Sequence, residues 1–304
     1  MVSRSRVHYF TAVACAALVC ASGCSTQGEE PHPTPTSPPS PAGSGVNSAH
    51  KASALEEYLE FPIGEYAFTT EQLRVIARAE ETLADACMRK YGLRYRSESS
   101  NSAAKYVAGT NRRYGVLNAD VVSEYGYHFP DTPRFSGGPE LSTDEVLALN
   151  GRPNSPAEVN GVAVPEGGCL GEVKKDLRGK YTDEKAVEVA QRIASESFER
   201  SLTSSVVLKT IKEWSQCMKD KGFPYGTPLQ ALGADENSGK EVTKREISSA
   251  KADVDCKTRT DLVRIWSGEE SEIQRAMIKK NRDDLHRLAE AHHKLLAEAR
   301  SIRR

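Results

Sequence analysis

Cys87-Met88-Arg89-Lys90-Tyr91-Gly92-Leu93-Arg94-Tyr95 recurs further along the chain as Cys217-Met218-Lys219-Asp220-Lys221-Gly222-Phe223-Pro224-Tyr225. Cys, Met, Gly and the final Tyr are identical, and Leu is exchanged for Phe. The pattern describes a helix C-terminus. Glycine at C′ takes the left-handed conformation without a Cβ penalty, and in a Schellman ending the C3 side chain packs on C″. Those positions are Met88 with Leu93, and Met218 with Phe223. Arg89, Lys90, Lys219 and Lys221 suit the negative end of each helix dipole. Each cysteine stands one residue before the packed Met and should face inward.

A second cysteine follows each repeat, Cys169 and Cys256. With Cys15 and Cys20 assigned to the leader described below and Cys24 to a lipid, the remaining four cysteines read as two disulfides in an oxidising compartment. Three connectivities are open, and the duplicated layout favours Cys87–Cys169 with Cys217–Cys256. Loop-entropy arithmetic assigns ~4 kcal/mol to each closure. The rival is a zinc site built from all four, but there is no Cys-x-x-Cys pair and extracytoplasmic thiols oxidise. No metal or cofactor is expected.

Working outward, Thr69 and Gln72 form a capping box. Leu73, Ile76, Ala77, Glu80, Leu83, Ala84 and Cys87 follow at near-helical spacing, a mostly apolar face, and Gly92 stops the helix. Residues 97–104 are polar and turn-like, and 131–133 and 136–139 are loop. A short helix fits between Arg112-Arg113-Tyr114-Gly115-Val116 and Tyr125-Gly126-Tyr127-His128. Ser142 and Glu145 form another capping box, closed by Gly151. Val162-Ala163-Val164 is a candidate strand. A short helix follows Gly167-Gly168-Cys169-Leu170-Gly171-Glu172 near Asp176. Helices are expected at 182–201, with Ala186, Val189, Ala190, Ile193 and Ser197 inward, and at 205–221, with Val206, Ile211, Trp214, Cys217 and Met218. Residues 229–240 read as loop. Residues 241–304 read as helix almost throughout, with a break at Ser267-Gly268-Glu269-Glu270. The expected fold is therefore mostly α: two related, disulfide-stapled helical halves, a long C-terminal helix and little β.

The N-terminus carries Arg4 and Arg6, then a charge-free apolar stretch to Gly23. It is shorter than the ~20 apolar residues of a spanning helix. Ala17-Leu18-Val19-Cys20-Ala21-Ser22-Gly23-Cys24 resembles the lipobox of bacterial lipoproteins. The resemblance implies cleavage before Cys24, which would then carry diacylglycerol with acyl chains such as palmitate. Residues 1–23 are then a signal peptide, and 24–54 a lipidated cysteine with a Pro/Ser/Thr-rich linker. That linker could reach ~90 Å from the bilayer in polyproline II form. Residues 55–240 are the helical globular domain and 241–304 the long helical region. The chain is placed on the extracytoplasmic face of the cell membrane. Removing Arg4 and Arg6 with no acid takes the formal charge from −1 to −3, which argues against a nucleic-acid partner.

Several short stretches resemble uncharacterised lipoproteins of actinomycete bacteria. They are Arg112–Gly115, Gly126–His128, Gly167–Glu172, Trp214–Gly222 and Ala252–Cys256, the last running on to Thr260, Leu262 and Gln274. The likeness covers nearly the whole mature domain and implies location and fold, with no activity to carry over.

Catalytic signatures are not found. There is no Gly-x-Ser-x-Gly elbow, phosphate-binding loop or dinucleotide turn. His292 and His293 lie on different helix faces, and His286 lacks a carboxylate pattern for a metal. Tyr125, Tyr127 and His128 make the candidate pocket. Leu288, His292, Leu295, Ala299 and Ile302 follow a three-four alternation like that of a coiled coil. This is a candidate seam for an envelope protein partner, on a C-terminal end made basic by Lys279, Lys280, Arg282, Arg287, Lys294, Arg300, Arg303 and Arg304. A non-catalytic binding or accessory lipoprotein is the expected function. The alternatives are a solute-binding lipoprotein of a transporter and, after it, an envelope hydrolase.

Overall fold

Residues 51–95, 107–130, 140–153 and 155–302 are described by the computed structural model. Cys24, the leader, nearly all of the Pro-rich stretch and the loops 97–104 and 131–139 lie outside these residues. Ser48–Arg304 group as one compact unit. Its contacts begin at Lys51, whose carbonyl accepts from Asn118 Nδ2 at 2.8 Å, and at Ser53, whose hydroxyl donates to the Leu117 carbonyl at 2.8 Å. Ser53 also caps α1 (Ala54–Glu57).

The reciprocal box of Thr69 and Gln72 opens α2 (Thr70–Arg89), whose inner face buries Ile76, Ala79, Ala84, Cys87 and Met88. Its ending has the Schellman hydrogen bonds. Leu93 N–H donates to the Met88 carbonyl at 3.1 Å and Gly92 N–H to that of Arg89 at 3.0 Å, with Gly92 at φ 73°. The same ending closes α7 (Ser205–Asp220). There Phe223 donates to Met218 and Gly222 to Lys219, both at 2.9 Å, and Gly222 has φ 87°. The disulfides are Cys87–Cys169 and Cys217–Cys256, the connectivity the duplicated layout favoured.

Each staple sits in its own core. Around Cys87–Cys169 pack Met88, Tyr91, Ala148, Leu149 and Val159. They come from α2, from α4 (Thr143–Asn150), and from a hairpin of β1 (Ala157–Val159) with β2 (Val162–Val164), to which α5 (Gly168–Val173) adds the second cysteine. The hairpin pairs antiparallel about Asn160-Gly161, both at positive φ, as a tight two-residue turn demands. Around Cys217–Cys256 pack Trp214, Met218, Leu262 and Trp266 from α7, α9 (Lys244–Arg259) and α10 (Leu262–Lys280). Segment 114–127, including α3 (Ala119–Tyr125), joins this second core. The halves therefore interleave along the chain.

The long C-terminal helix is three helices, and its breaks are not at Gly268. That glycine lies inside α10, which runs on because Trp266 and Glu270 on either side of it are buried. The first break is at Thr260-Asp261, where Asp261 takes φ 56°, a conformation that Asp tolerates better than most residues. The second is at Asn281, whose side chain donates to the Met277 carbonyl at 2.7 Å. Lys279 and Lys280 end α10, and Asp283 and Asp284 begin α11 (Arg282–Ser301), each charge suiting its dipole end.

After Asn281 the chain turns back, so the expected partner seam is occupied from within. Leu288 packs with Ala186, Val189 and Ile193 of α6 (Glu184–Ser201). Leu295 and Ala299 pack with Ile76 and Ala79 of α2 and with Leu177, and Ile302 lies against them. His292 stacks on Phe68 with ring centroids 3.8 Å apart. Leu285 and Leu296, outside the expected alternation, are buried as well. Two smaller corrections concern 205–240. Val206 is exposed and Val207 faces inward, while the expected loop holds α8 (Pro228–Leu232), capped by Thr227, and a 3-10 turn at Asp235–Asn237.

Leu295→Ala is expected to lower unfolding stability by about 2–5 kcal/mol, measured in denaturant, because it empties a core position. Gly268→Ala should raise it by about 0.5–1 kcal/mol, since the added Cβ meets nothing within 4 Å in an exposed helical position.

Candidate functional site

Segment 109–128 crosses the middle of the second core with only one short helix of its own. Backbone and charged side chains so placed need partners, and four acids supply them: Glu56 from α1, Glu246 and Asp253 from α9, and Glu270 from α10.

Glu270 is fully buried. It accepts from Arg113 Nε at 3.0 Å, from the Tyr114 hydroxyl at 2.7 Å, from Ser197 Oγ at 3.2 Å and from Gln274 Nε2 at 3.1 Å. The Arg113 guanidinium also donates to the Ala194 carbonyl at 2.6 Å. It lies 5.1 Å from the Phe61 ring centroid and 4.9 Å from that of Phe198, a cation–π sandwich. Tyr114 stacks on Trp266 at 4.5 Å, and Trp266 Nε1 donates to Ser201 at 2.8 Å. Burial, then the Glu270 charge, pushes the Tyr114 hydroxyl far up, so it stays a donor.

One turn of the segment away, Lys257 and Asp253 are both buried completely. Lys257 Nζ donates to Asp253 Oδ1 at 2.9 Å and to the Val116 carbonyl at 2.8 Å, and Trp214 Nε1 donates to Asp253 at 2.9 Å. Burial pushes the Asp253 carboxyl up and the Lys257 ammonium down, each opposed by the other's charge. Glu56 accepts from the Gly109 N–H at 2.6 Å and from Asn118 Nδ2 at 2.7 Å. Arg112 donates through Nη2 to the His128 carbonyl at 2.7 Å and lies 5.0 Å from the Phe129 ring centroid. Its Nε and Nη1 are buried without a hydrogen-bond partner among the described residues. Burial holds its pKa down to about 10, against the pull of Glu56 and Asp253.

The expected pocket residues do gather here, on the N-terminal end of α9. Tyr127 is buried, its N–H donating to Glu246 at 2.8 Å and its hydroxyl 3.5 Å from Ser249 Oγ. Burial and then the Asp253 charge push that hydroxyl up. His128 places Nδ1 2.8 Å from Glu246 and Nε2 2.7 Å from the Gly239 carbonyl. Gly126 has φ 56°, and a Cβ there would collide with the Glu246 carboxylate. Tyr125 is half-buried, its carbonyl accepting from His128 N–H at 2.8 Å. The geometry is that of a hydrogen-bonded girdle in which each acid is engaged by the fold itself.

Sequence reasoning passed over Glu270, Asp253, Lys257 and Glu246. The available signal was the helix period. Asp253 and Lys257 are spaced i, i+4 on the apolar face of α9, and Glu270 lies i+4 from Trp266 and i−4 from Gln274, on the face that α10 buries.

A surface concavity lies elsewhere. An open cleft of about 860 Å³ is lined by Lys174, Lys175, Arg178, Thr182, Asp183 and Glu184, with Gly171 and Gly179. It follows a widened π turn, Lys174–Arg178, beyond α5. Arg178 is forked onto Glu80, and Asp183 accepts from Ala186 N–H and from Arg287, both at 3.0 Å. Among the described residues no cluster of His, Cys, Asp and Glu has a metal-holding arrangement, and no helix is long and apolar enough to cross a membrane. No protein-family model, curated protein or solved structure matches the chain.

Lys257→Met should destabilise the domain by about 3–5 kcal/mol at neutral pH, because Asp253 is left buried with its charge unpaired. The folded carboxyl is raised, so the loss belongs to pH above the unfolded carboxylate value and fades as acid protonates Asp253. Urea unfolding of wild type and variant at neutral and acid pH measures both.

Proposed function

We propose that the chain is a lipid-anchored, extracytoplasmic protein of a bacterial cell envelope, acting by binding or as an accessory component rather than by catalysis. One observation carries the location: every cysteine of the described domain is in a disulfide, and both bonds sit in cores. Such bonds persist in oxidising compartments, which supports an exported chain. The lipobox-like stretch ending at Cys24 supplies the anchor, and the likeness to actinomycete lipoproteins agrees with it. The non-catalytic reading is supported by the use of His128, Glu246, Asp253, Lys257 and Glu270 as internal hydrogen-bonding partners.

A second reading, a solute-binding lipoprotein, draws on the cleft beside Lys174 and Lys175. Arg178 and Asp183 are already paired there, and Lys174 and Lys175, set against the carboxylate of Glu184, are what would favour an anionic solute.

The anchor is tested by phase partitioning of wild type and Cys24→Ala expressed in an actinomycete host. Wild type is expected in the detergent phase with a mature N-terminal peptide that starts at an acylated Cys24. The variant is expected in the aqueous phase or with its leader retained. An unchanged N-terminus and unchanged partitioning in the variant would rule the anchor out.

A further inference from the structure

The His128 ring is flanked by two groups that can only accept. Nδ1 lies 2.8 Å from Glu246 Oε1, and Nε2 lies 2.7 Å from the Gly239 carbonyl. A neutral imidazole carries one N–H and satisfies one of the two, setting lone pair against lone pair at the other. Both contacts hold together only in the imidazolium. They join three pieces of chain: the end of segment 109–128, the stretch before α9, and the first turn of α9, where Glu246 also closes the capping box with Thr243. We propose that His128 is a pH-sensitive strap: as imidazolium it fastens Gly239 to the N-terminal end of α9, and on losing its Nε2 proton to solvent it lets residues 238–242 go.

The choice of proton follows from the acceptors. Glu246 is a carboxylate, 1% exposed, and holds the Nδ1 proton by a charge-assisted bond. The Gly239 carbonyl is a neutral acceptor at an exposed position. The ring itself is 27% exposed, so the Nε2 proton has a way out. Glu246 is the charged group facing the ring. Arg112 touches the same residue only at its backbone carbonyl, and Asp253 and Lys257, farther along α9, close on each other. Lys240, Glu241, Lys244 and Arg245 flank the contact along the chain and are exposed. The release is bounded upstream, because Asn237 donates to the Ala231 carbonyl at 2.7 Å and to the Tyr225 hydroxyl at 3.2 Å. Those bonds do not involve the histidine.

The Gly239 carbonyl and then Glu246 raise the ring's pKa above the ordinary histidine value, against burial. A folded value raised above the unfolded one makes the strap fully effective below the unfolded value, ~6.5. Its contribution is lost as pH rises through the folded value.

The test is hydrogen exchange by mass spectrometry on the full chain in detergent, from about pH 5 to about pH 9, with the intrinsic pH dependence removed. Beside it runs NMR titration of the His128 ring. In wild type, protection across 238–242 is expected to fall over the pH range in which the ring deprotonates, while 231–237 stays protected. His128→Gln, which cannot titrate, should show protection in 238–242 that does not change with pH. Three results overturn the strap: exchange in 238–242 that stays flat while the ring titrates, a ring that titrates at or below the ordinary histidine value, or a variant that keeps the wild-type pH dependence. Should the variant fail to fold, ring titration and exchange in wild type decide the matter alone.

Discussion

The fold depends on holding one carboxylate, Glu270, in the middle of the protein. Removing an ion from water costs several kcal/mol even after relaxation, and Glu270 is fully buried. The cost is met by gathering four donors from three places: Arg113 and Tyr114 from an irregular segment, Ser197 from α6, and Gln274 one turn away on α10. Gln274 in turn accepts from the Ile63 N–H at 3.1 Å, which brings in the turn before α2. Apolar packing alone would tolerate these pieces sliding. A buried ion with fixed lone pairs does not, because every slipped arrangement leaves a charge without donors. Its role is better described as selecting one arrangement than as adding stability, since buried ion pairs are weak evidence of net stabilisation.

The same logic separates what could be read from the sequence and what could not. Local rules were legible: the boxes at Thr69 and Ser142, the Gly92 and Gly222 endings and the cysteine pairing all depend on residues close in sequence or on a visible duplication. The helix break was misplaced because Gly268 is a strong local signal. Its neighbours Trp266 and Glu270 find partners that only the tertiary structure supplies. The true break at Asn281 had its own local signal, basic residues before it and acidic ones after, hidden inside a run of charge. The seam of α11 is legible as apolar, but the expected partner is not what covers it: residues of α2 and α6 do. Periodicity identifies a face that must be covered and says nothing about what covers it.

The candidate site was legible only in part. Tyr125, Tyr127 and His128 stood out as an aromatic cluster, and they do lie together. Their partners Glu246 and Asp253 looked like ordinary acids on a charged helix. Sequence spacing places them on a buried face only once the register of α9 is known, and the low hydrophobicity of that helix hid its inner side. Arg112 and Arg113 are adjacent and alike, yet Arg113 closes on Glu270 while Arg112 keeps two buried nitrogens without partners among the described residues. The chain turns there, Gly115 N–H donating to the Arg112 carbonyl at 3.0 Å, and the two side chains enter different surroundings, Arg112 against Phe129 and Arg113 beside Phe61 and Phe198.

The return of α11 onto α2 sets the order in which the protein can be completed. Ile76 and Ala79 are met early in synthesis, and the leucines that cover them come within the last turns of the chain. The disulfide partners Cys217 and Cys256 are separated by 39 positions and Cys87 and Cys169 by 82, and both pairs precede α11. The contacts of Ile76 and Ala79 with Leu295, Leu296 and Ala299 span far more of the chain than either disulfide, and contacts so distant in sequence form late. An emerging chain can therefore oxidise and pair its cysteines while two of its cores remain open. Those cores close only when α11 arrives, and a chain cut before it carries its staples on an unfinished body.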